Sequence, residues 1–283
     1  VGFAPDLAIS QSISAGRAPV WVDRLRGVKQ WLRSDATSAE GTQTTSGLSS
    51  FDMLGVSYTA DNTEQPFAWN NTGEAKHQRF FKRAPGFFDV VCSQSTPSGD
   101  LNFSHGLGVV PKLIIHKDRG SGTDWDVWTT AFGGKHYLKL NSTSAATSVS
   151  HPSTLTATTV FSGSGSQTTN SPQVCYLFAS LPGISKVGSY TGNGSSKTIN
   201  CGFSTGARFI LIKRTDSTGD WYVWDTARGI IAANDPHLSL NTSGAEVTTN
   251  DSVDPDSTGF IVNQVAATNI NVNGATYLYL AIA

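Results

Sequence analysis

Trp125-Asp126-Val127-Trp128-Thr129-Thr130-Ala131-Phe132-Gly133 comes round again about a hundred residues later as Trp221-Tyr222-Val223-Trp224-Asp225-Thr226-Ala227-Arg228-Gly229. A shortened version, Val22-Asp23-Arg24-Leu25-Arg26-Gly27, stands near the front. A second element follows each: Leu138-Lys139-Leu140-Asn141-Ser142-Thr143-Ser144-Ala145-Ala146, then Leu238-Ser239-Leu240-Asn241-Thr242-Ser243-Gly244-Ala245-Glu246, and at the front Leu32-Arg33-Ser34-Asp35-Ala36-Thr37-Ser38-Ala39-Glu40. Two elements in one order, three times over, predict a triplicated unit and argue against a single enclosed active site.

Short apolar runs precede the tryptophan stretches. Lys112-Leu113-Ile114-Ile115-His116-Lys117 matches Phe209-Ile210-Leu211-Ile212-Lys213-Arg214, with Leu7-Ala8-Ile9 as the front version. Runs this short, rich in β-branched residues and bounded by Gly or Pro, read as buried strands. Polar turns follow at Asp118 to Thr123 and Thr215 to Gly219, with glycine available for positive φ. In the next strand Trp125 and Val127 face one way, Asp126 and Trp128 the other. Each unit closes on a further apolar strand, such as Val174 to Ala179 and Leu278 to Ala283.

Pro85-Gly86 and Pro182-Gly183 mark the junctions. The expected units are 1–84, 85–181 and 182–283, the first lacking the leading segment that 85–107 and 182–204 provide to the others. Ala283 then falls at the end of a unit, and a leading segment for the first unit would lie upstream of Val1. About seven short strands per complete unit predict an all-β fold of three tandem antiparallel β-sandwich or jelly-roll-like units. The best helix candidate is Asp23 to Leu32, short and only partly amphipathic.

Composition narrows the function classes. The 283 residues are only 14% charged, with a formal net charge of −1. Near neutrality gives no electrostatic reason to expect a nucleic-acid or anionic-membrane partner. Lys82-Arg83 beside Lys76 is the nearest approach to a basic run and reads as a solvated edge. No apolar stretch is long enough to suggest membrane insertion. Cys92, Cys175 and Cys201 make neither a disulfide framework nor a metal spacing, and read as small buried residues.

The motifs, taken together, resemble a repeat family of tail-fibre and virion structural proteins in tailed bacteriophages, many of them marine or cyanobacterial. Gly106-Leu107-Gly108-Val109-Val110-Pro111-Lys112-Leu113-Ile114-Ile115 resembles its strand-opening motif. Gly188-Ser189-Tyr190-Thr191-Gly192-Asn193-Gly194 is similar to its linking motif. Trp221 to Gly229, Asn241 to Glu246, and the opening Gly2-Phe3-Ala4-Pro5-Asp6-Leu7 are also similar, so the resemblance spans the chain. It implies a non-enzymatic virion component, located in the tail or on the particle surface. The implied partners are other virion proteins and host-surface polysaccharide, with a homotrimer as one assembly. No cofactor, metal, catalytic or cofactor-binding residue is implied, and the ligand-binding residues are not specified. The middle unit departs by carrying Thr129 and Phe132 where the others carry Asp23 with Arg26 and Asp225 with Arg228. Such a pair, three residues apart, can bridge across a turn, with apolar packing replacing it in the middle unit.

Trp125, Trp128, Trp221 and Trp224 can stack on sugar rings, but recurrence at one position favours packing. Trp31 and Trp69 have no counterparts and are the better surface candidates. Asp251, Asp254 and Asp256 form the densest acidic cluster, a candidate for Ca²⁺ or a glycosidase pair, although a solvated loop accounts for them as well. His77, His105, His116, His136, His151 and His237 lack metal-ligand spacing. Gly163-Ser164-Gly165-Ser166 lacks the context of a nucleophile elbow. The sequons at Asn193 and Asn241 would go unused in a bacterial host. A polysaccharide depolymerase and a capsid or tail decoration subunit are the rival functions. Recognition is expected where the copies disagree: residues 41–78, 162–172 and 250–258.

Overall fold

The computed structural model describes residues 1–44, 47–59, 73–163 and 167–283. All its regular structure is β, as the short β-branched runs predict, and every paired strand is antiparallel. The first stretch holds β1 (Leu7–Ser12), β2 (Val20–Asp23), β3 (Gln30–Arg33), β4 (Gly41–Thr42), β5 (Leu48–Phe51), β6 (Val56–Tyr58) and β7 (Lys76–Phe81). The second holds β8 (Phe88–Gln94), β9 (Leu101–Ser104), β10 (Leu113–Asp118), β11 (Trp125–Thr129), β12 (His136–Lys139), β13 (Thr147–Ser148), β14 (Thr154–Leu155), β15 (Thr159–Ser162) and β16 (Pro172–Phe178). The third holds β17 (Ser185–Thr191), β18 (Ser196–Asn200), β19 (Phe209–Arg214), β20 (Trp221–Asp225), β21 (Leu238–Ser239), β22 (Val253–Asp256), β23 (Gly259–Asn263) and β24 (Thr276–Ile282).

The helix candidate from Asp23 to Leu32 is not a helix. Asp23 ends β2, a turn follows, and Gln30–Arg33 is a strand. The turn is closed by Asp23 itself: its Oδ1 accepts from the Arg26 amide at 2.9 Å and its Oδ2 from Arg26 Nε at 2.5 Å. That side-chain bonding competes with the helical ladder.

Three large sheets run β4-β3-β2-β1-β7, β13-β12-β11-β10-β16-β8 and β17-β24-β19-β20-β21. Their central strands correspond in register: Leu7 pairs with Asp23 and Phe81, Leu113 with Thr129 and Phe178, Phe209 with Asp225 and Ile282. Each sheet turns one face to a shared interior containing Leu7, Trp21, Leu113, Trp125, Leu211 and Trp221. The other faces are covered by small sheets, β14-β15-β9 and β18-β23-β22, while the hairpin β5-β6 joins the outer cluster around Val20 and Val22. Burial on both faces is why the central strands read as continuous apolar runs rather than alternating ones.

Three corresponding backbone hydrogen bonds join the sheets in a closed ring. The Glu40 amide donates to Arg119 O at 2.9 Å, the Ala146 amide to Thr215 O at 2.8 Å, and the Glu246 amide to Ile13 O at 3.2 Å. Side chains repeat the same circuit. Trp125 Nε1 donates to Arg33 O at 2.7 Å, Trp221 Nε1 to Lys139 O at 2.9 Å, and Gln11 Nε2 to Ser239 O at 3.0 Å. Lys117 and Lys213 are fully buried and reach carbonyls of the preceding sheet, Thr37 O at 3.2 Å and Thr143 O at 2.8 Å. A buried donor of this kind must find such acceptors, since leaving it unpaired costs about 1–3 kcal/mol.

Candidate functional site

The three places where neighbouring sheets meet have different chemistry. Between the first and second sheets, Asp23 Oδ2 accepts from Tyr176 OH at 2.8 Å, and Arg26 reaches Tyr176 OH and Glu40 at 3.0 Å each. Burial alone would lower the Arg26 pKa, but the charges of Asp23, Tyr176 and Glu40 outweigh it and raise it well above the usual value. Between the second and third sheets, Thr129, Phe132 and Ala146 stand in the corresponding places. Thr129 Oγ1 caps Lys112 O at 2.8 Å, while Phe132 and Ala146 pack against the shared core. Apolar packing has replaced the ion pair, and the residue corresponding to Tyr176 is Leu280.

The third junction, between the third sheet and β7, holds the candidate site. Its sequence is Lys76-His77-Gln78-Arg79-Phe80-Phe81-Lys82-Arg83, which carries no acid. Strand alternation sends His77, Arg79 and Phe81 to the same face. Arg79 occupies the position of Tyr176 and Leu280. Asp225 Oδ2 lies 2.9 Å from His77 Nε2, 3.5 Å from Arg79 Nε and 2.8 Å from Arg228 Nη2. Burial pushes the Asp225 carboxyl up, but the His77 hydrogen bond and the charges of Arg228 and Arg79 prevail and hold it well below the usual carboxylate range. Burial, then repulsion by Arg228, brings the Arg79 pKa down to about 9 against the attraction of Asp225. Burial also lowers the His77 pKa despite its bond to Asp225, so His77 is neutral at pH 7 and donates as imidazole.

Arg79 is only partly satisfied. Its Nη1 donates to Gln11 Oε1 at 2.7 Å, but buried Nε and Nη2 make no hydrogen bond among the described residues. They adjoin a depression of about 520 Å³ walled by Phe3, Phe81, Phe87 and Phe209, with Asp225 and Arg79 on its lining. Lys82 and Arg208 also line it, and among the described residues Asp225 is its one acidic side chain. A glycosidase cleft needs two carboxylates across the scissile bond, which the described residues lining this depression do not present.

The other candidates fall elsewhere. Trp125, Trp128, Trp221 and Trp224 are all buried and offer no stacking face to a sugar. Trp31 is half-buried, its indole filling the space beside Gly41 that any Cβ there would occupy. Trp69 and Ser164 to Ser166 lie outside the described residues, as does much of 41–78. Asp251 and Asp254 accept from Asn263 Nδ2 at 3.3 and 2.8 Å, and Asp256 caps the turn at Thr258. Among the described residues no three His, Cys, Asp or Glu side chains converge as metal ligands. His116 stacks on Trp128 with centroids 5.2 Å apart, and His237 packs beside Trp224 at 5.5 Å, so both serve the outer layers. Burial pushes the Cys92 and Cys201 thiols up to about 11 and raises Cys175 well above its usual value, which keeps them protonated at neutral pH. Asn241 is held by the Trp221 amide and by Asp220 at 2.8 and 2.7 Å, a structural role.

The site around Arg79 was missed in the sequence because its members are far apart along the chain. The retained Asp225–Arg228 pair and the acid-free run from Lys76 to Arg83 were the only signals.

No curated protein and no solved structure matches this chain significantly. A family model does match, over residues 1–283, and the chain therefore belongs to the family described as Domain of unknown function (DUF7483).

Proposed function

For this member of a family without an assigned activity, we propose a virion structural role in a tailed bacteriophage. The protein forms part of a tail fibre or adhesin, built from three copies of one β unit, and holds a neighbouring virion subunit or a host-surface glycan. The observation that carries this reading is the closed ring of corresponding hydrogen bonds among the three large sheets. A single chain with a threefold cross-section can seat coaxially on a threefold fibre without itself forming a homotrimer, and closed symmetry is the common solution for structural assemblies. The motif resemblance along the whole chain supports the same reading, as does the use of its matched tryptophans for packing rather than for a site.

Locating the chain in a reconstruction of the intact particle, or gold-labelling particles with an antibody to residues 1–283, tests the proposal. Density or label at the tail is the expected result, and particles free of the protein would sink it. A glycan array with the purified chain separates the two roles: binding selects the adhesin, and no binding leaves the scaffold.

A further inference from the structure

In the second and third sheets the strand that follows β10 or β19 across the ladder has a neighbour on its outer side. β16 is paired along seven positions by β8, and β24 along seven by β17. β7 occupies the corresponding place in the first sheet and is its terminal strand among the described residues. The Ile13 amide donates to Ala75 O at 3.0 Å, which sets the phase of pairing with β1. Ala75, His77, Arg79 and Phe81 therefore turn their backbone groups toward β1, while Lys76, Gln78 and Phe80 turn theirs outward. No other described residue hydrogen-bonds those outward groups. The depression beside Arg79 runs along this open edge, since its lining includes each residue from His77 to Lys82.

We propose that the β7 edge is a strand-acceptor site, and that its occupant is an extended acidic segment of a second, different polypeptide. The segment adds as an antiparallel strand, with a carboxylate opposite Arg79 and an apolar side chain beside Phe81 and Phe209. Main-chain bonding supplies affinity in this mode of recognition, and alternate side chains supply specificity.

Charge selects the occupant. In the filled sheets the residue opposite Tyr176 is Val90 and the residue opposite Leu280 is Val187, apolar partners for neutral side chains. The corresponding Arg79 instead leaves Nη2 buried without a hydrogen bond and Nε with only the 3.5 Å ion pair to Asp225, and directly opposite side chains in a ladder lie close enough for an acid to complete them. A second copy of β7 is the wrong partner in the register centred on Arg79. Antiparallel pairing about Arg79 would set Arg79 against Arg79 and Lys76 against Lys82, like charges directly opposite. The inference rests on the sheet edge alone and holds whether or not the chain belongs to a particle.

The test titrates the full chain with seven-residue peptides that alternate apolar and polar side chains and carry Glu, Val or Lys at the central inward position. Backbone amide resonances of Lys76, Gln78 and Phe80 report the site. The Glu peptide is expected to bind at least tenfold more tightly than the Lys peptide and to protect those amides from exchange. N-methylation of its edge-facing amides should abolish binding, a control that leaves the protein untouched. Arg79→Leu, which copies Leu280, should erase the preference for Glu over Val. Absence of amide protection at millimolar peptide, equal affinity for all three peptides, or self-association of the chain through β7 in sedimentation would each overturn the proposal.

Discussion

The buried lysine Lys213 makes its sheet's attachment dependent on pH in a direction that can be worked out. Its ammonium donates to Gly219 O at 2.6 Å within its own sheet and to Thr143 O at 2.8 Å in the neighbouring one. Burial is the main cause that brings its pKa down from 10.5 to about 8. At a pH just below 8 the unfolded chain holds this proton more tightly than the folded one, so folding works against proton binding. As pH rises toward 10.5 the unfolded chain loses its proton as well, and that opposition disappears. Stability from this group is therefore present above 10.5 and lost as pH falls through 8. With about 1.36 kcal/mol for each unit of pKa difference, the change between about pH 7.5 and about pH 9.5 is about 2 kcal/mol. Lys213→Met removes the titration and also the two hydrogen bonds, but the hydrogen-bond loss adds a nearly constant offset. Urea unfolding of wild type and variant, followed by tryptophan fluorescence, gives the difference at each pH. Subtraction cancels the buried thiols and tyrosines, which titrate in both proteins. Wild type should gain about 2 kcal/mol on the variant over that interval. A difference that stays flat would refute the reasoning, and would mean that the carbonyl cage repays the full cost of burying the charge.

Three further outcomes follow from the junctions. Asp23→Ala should destabilise the fold by about 3–5 kcal/mol, because Arg26 is left as a buried charge with only Glu40 as an acidic partner; calorimetry that places the loss below about 1 kcal/mol would contradict this. Trp221→Phe keeps most of the ring but removes the indole donor to Lys139 O, which retains the Ser142 amide at 3.2 Å, and should cost about 0.5–1.5 kcal/mol for the lost hydrogen bond, measured by the same urea series. Gly192→Ala should prevent the native approach of its loop, since a Cβ there would stand 2.2 Å from Val272 O; an unchanged unfolding midpoint would show that the loop moves freely.

The central strands were legible because both of their faces are buried. Leu113–Asp118 and Trp125–Thr129 lie where the apolar runs predict them, with Trp125 and Val127 on one face and Trp128 on the other. The segment from Asp23 to Leu32 misled because it is partly amphipathic, while in space Asp23 commits its carboxylate to the turn and to Arg26. The contacts between sheets were not legible at all. Lys117 and Trp125 bond carbonyls of Thr37 and Arg33, and a carbonyl has no residue type to read. The Arg79 site was hidden for a related reason. Lys82-Arg83 beside Lys76 read as a solvated edge, but only the topology reveals that β7 pairs with β1 on one side and has no strand partner among the described residues on the other.

The ring of bonds between sheets also bears on how the molecule comes apart. In an open row of stacked elements, the end members have one neighbour each and fray first, so such arrays need caps. Here the circuit through Glu40, Ala146 and Glu246 returns to Ile13, so each large sheet has two neighbours and none is terminal. Detaching any one sheet breaks two seams at once and exposes the shared interior of all three. Detaching a whole large sheet is thereby made more costly than losing an end member from an open row.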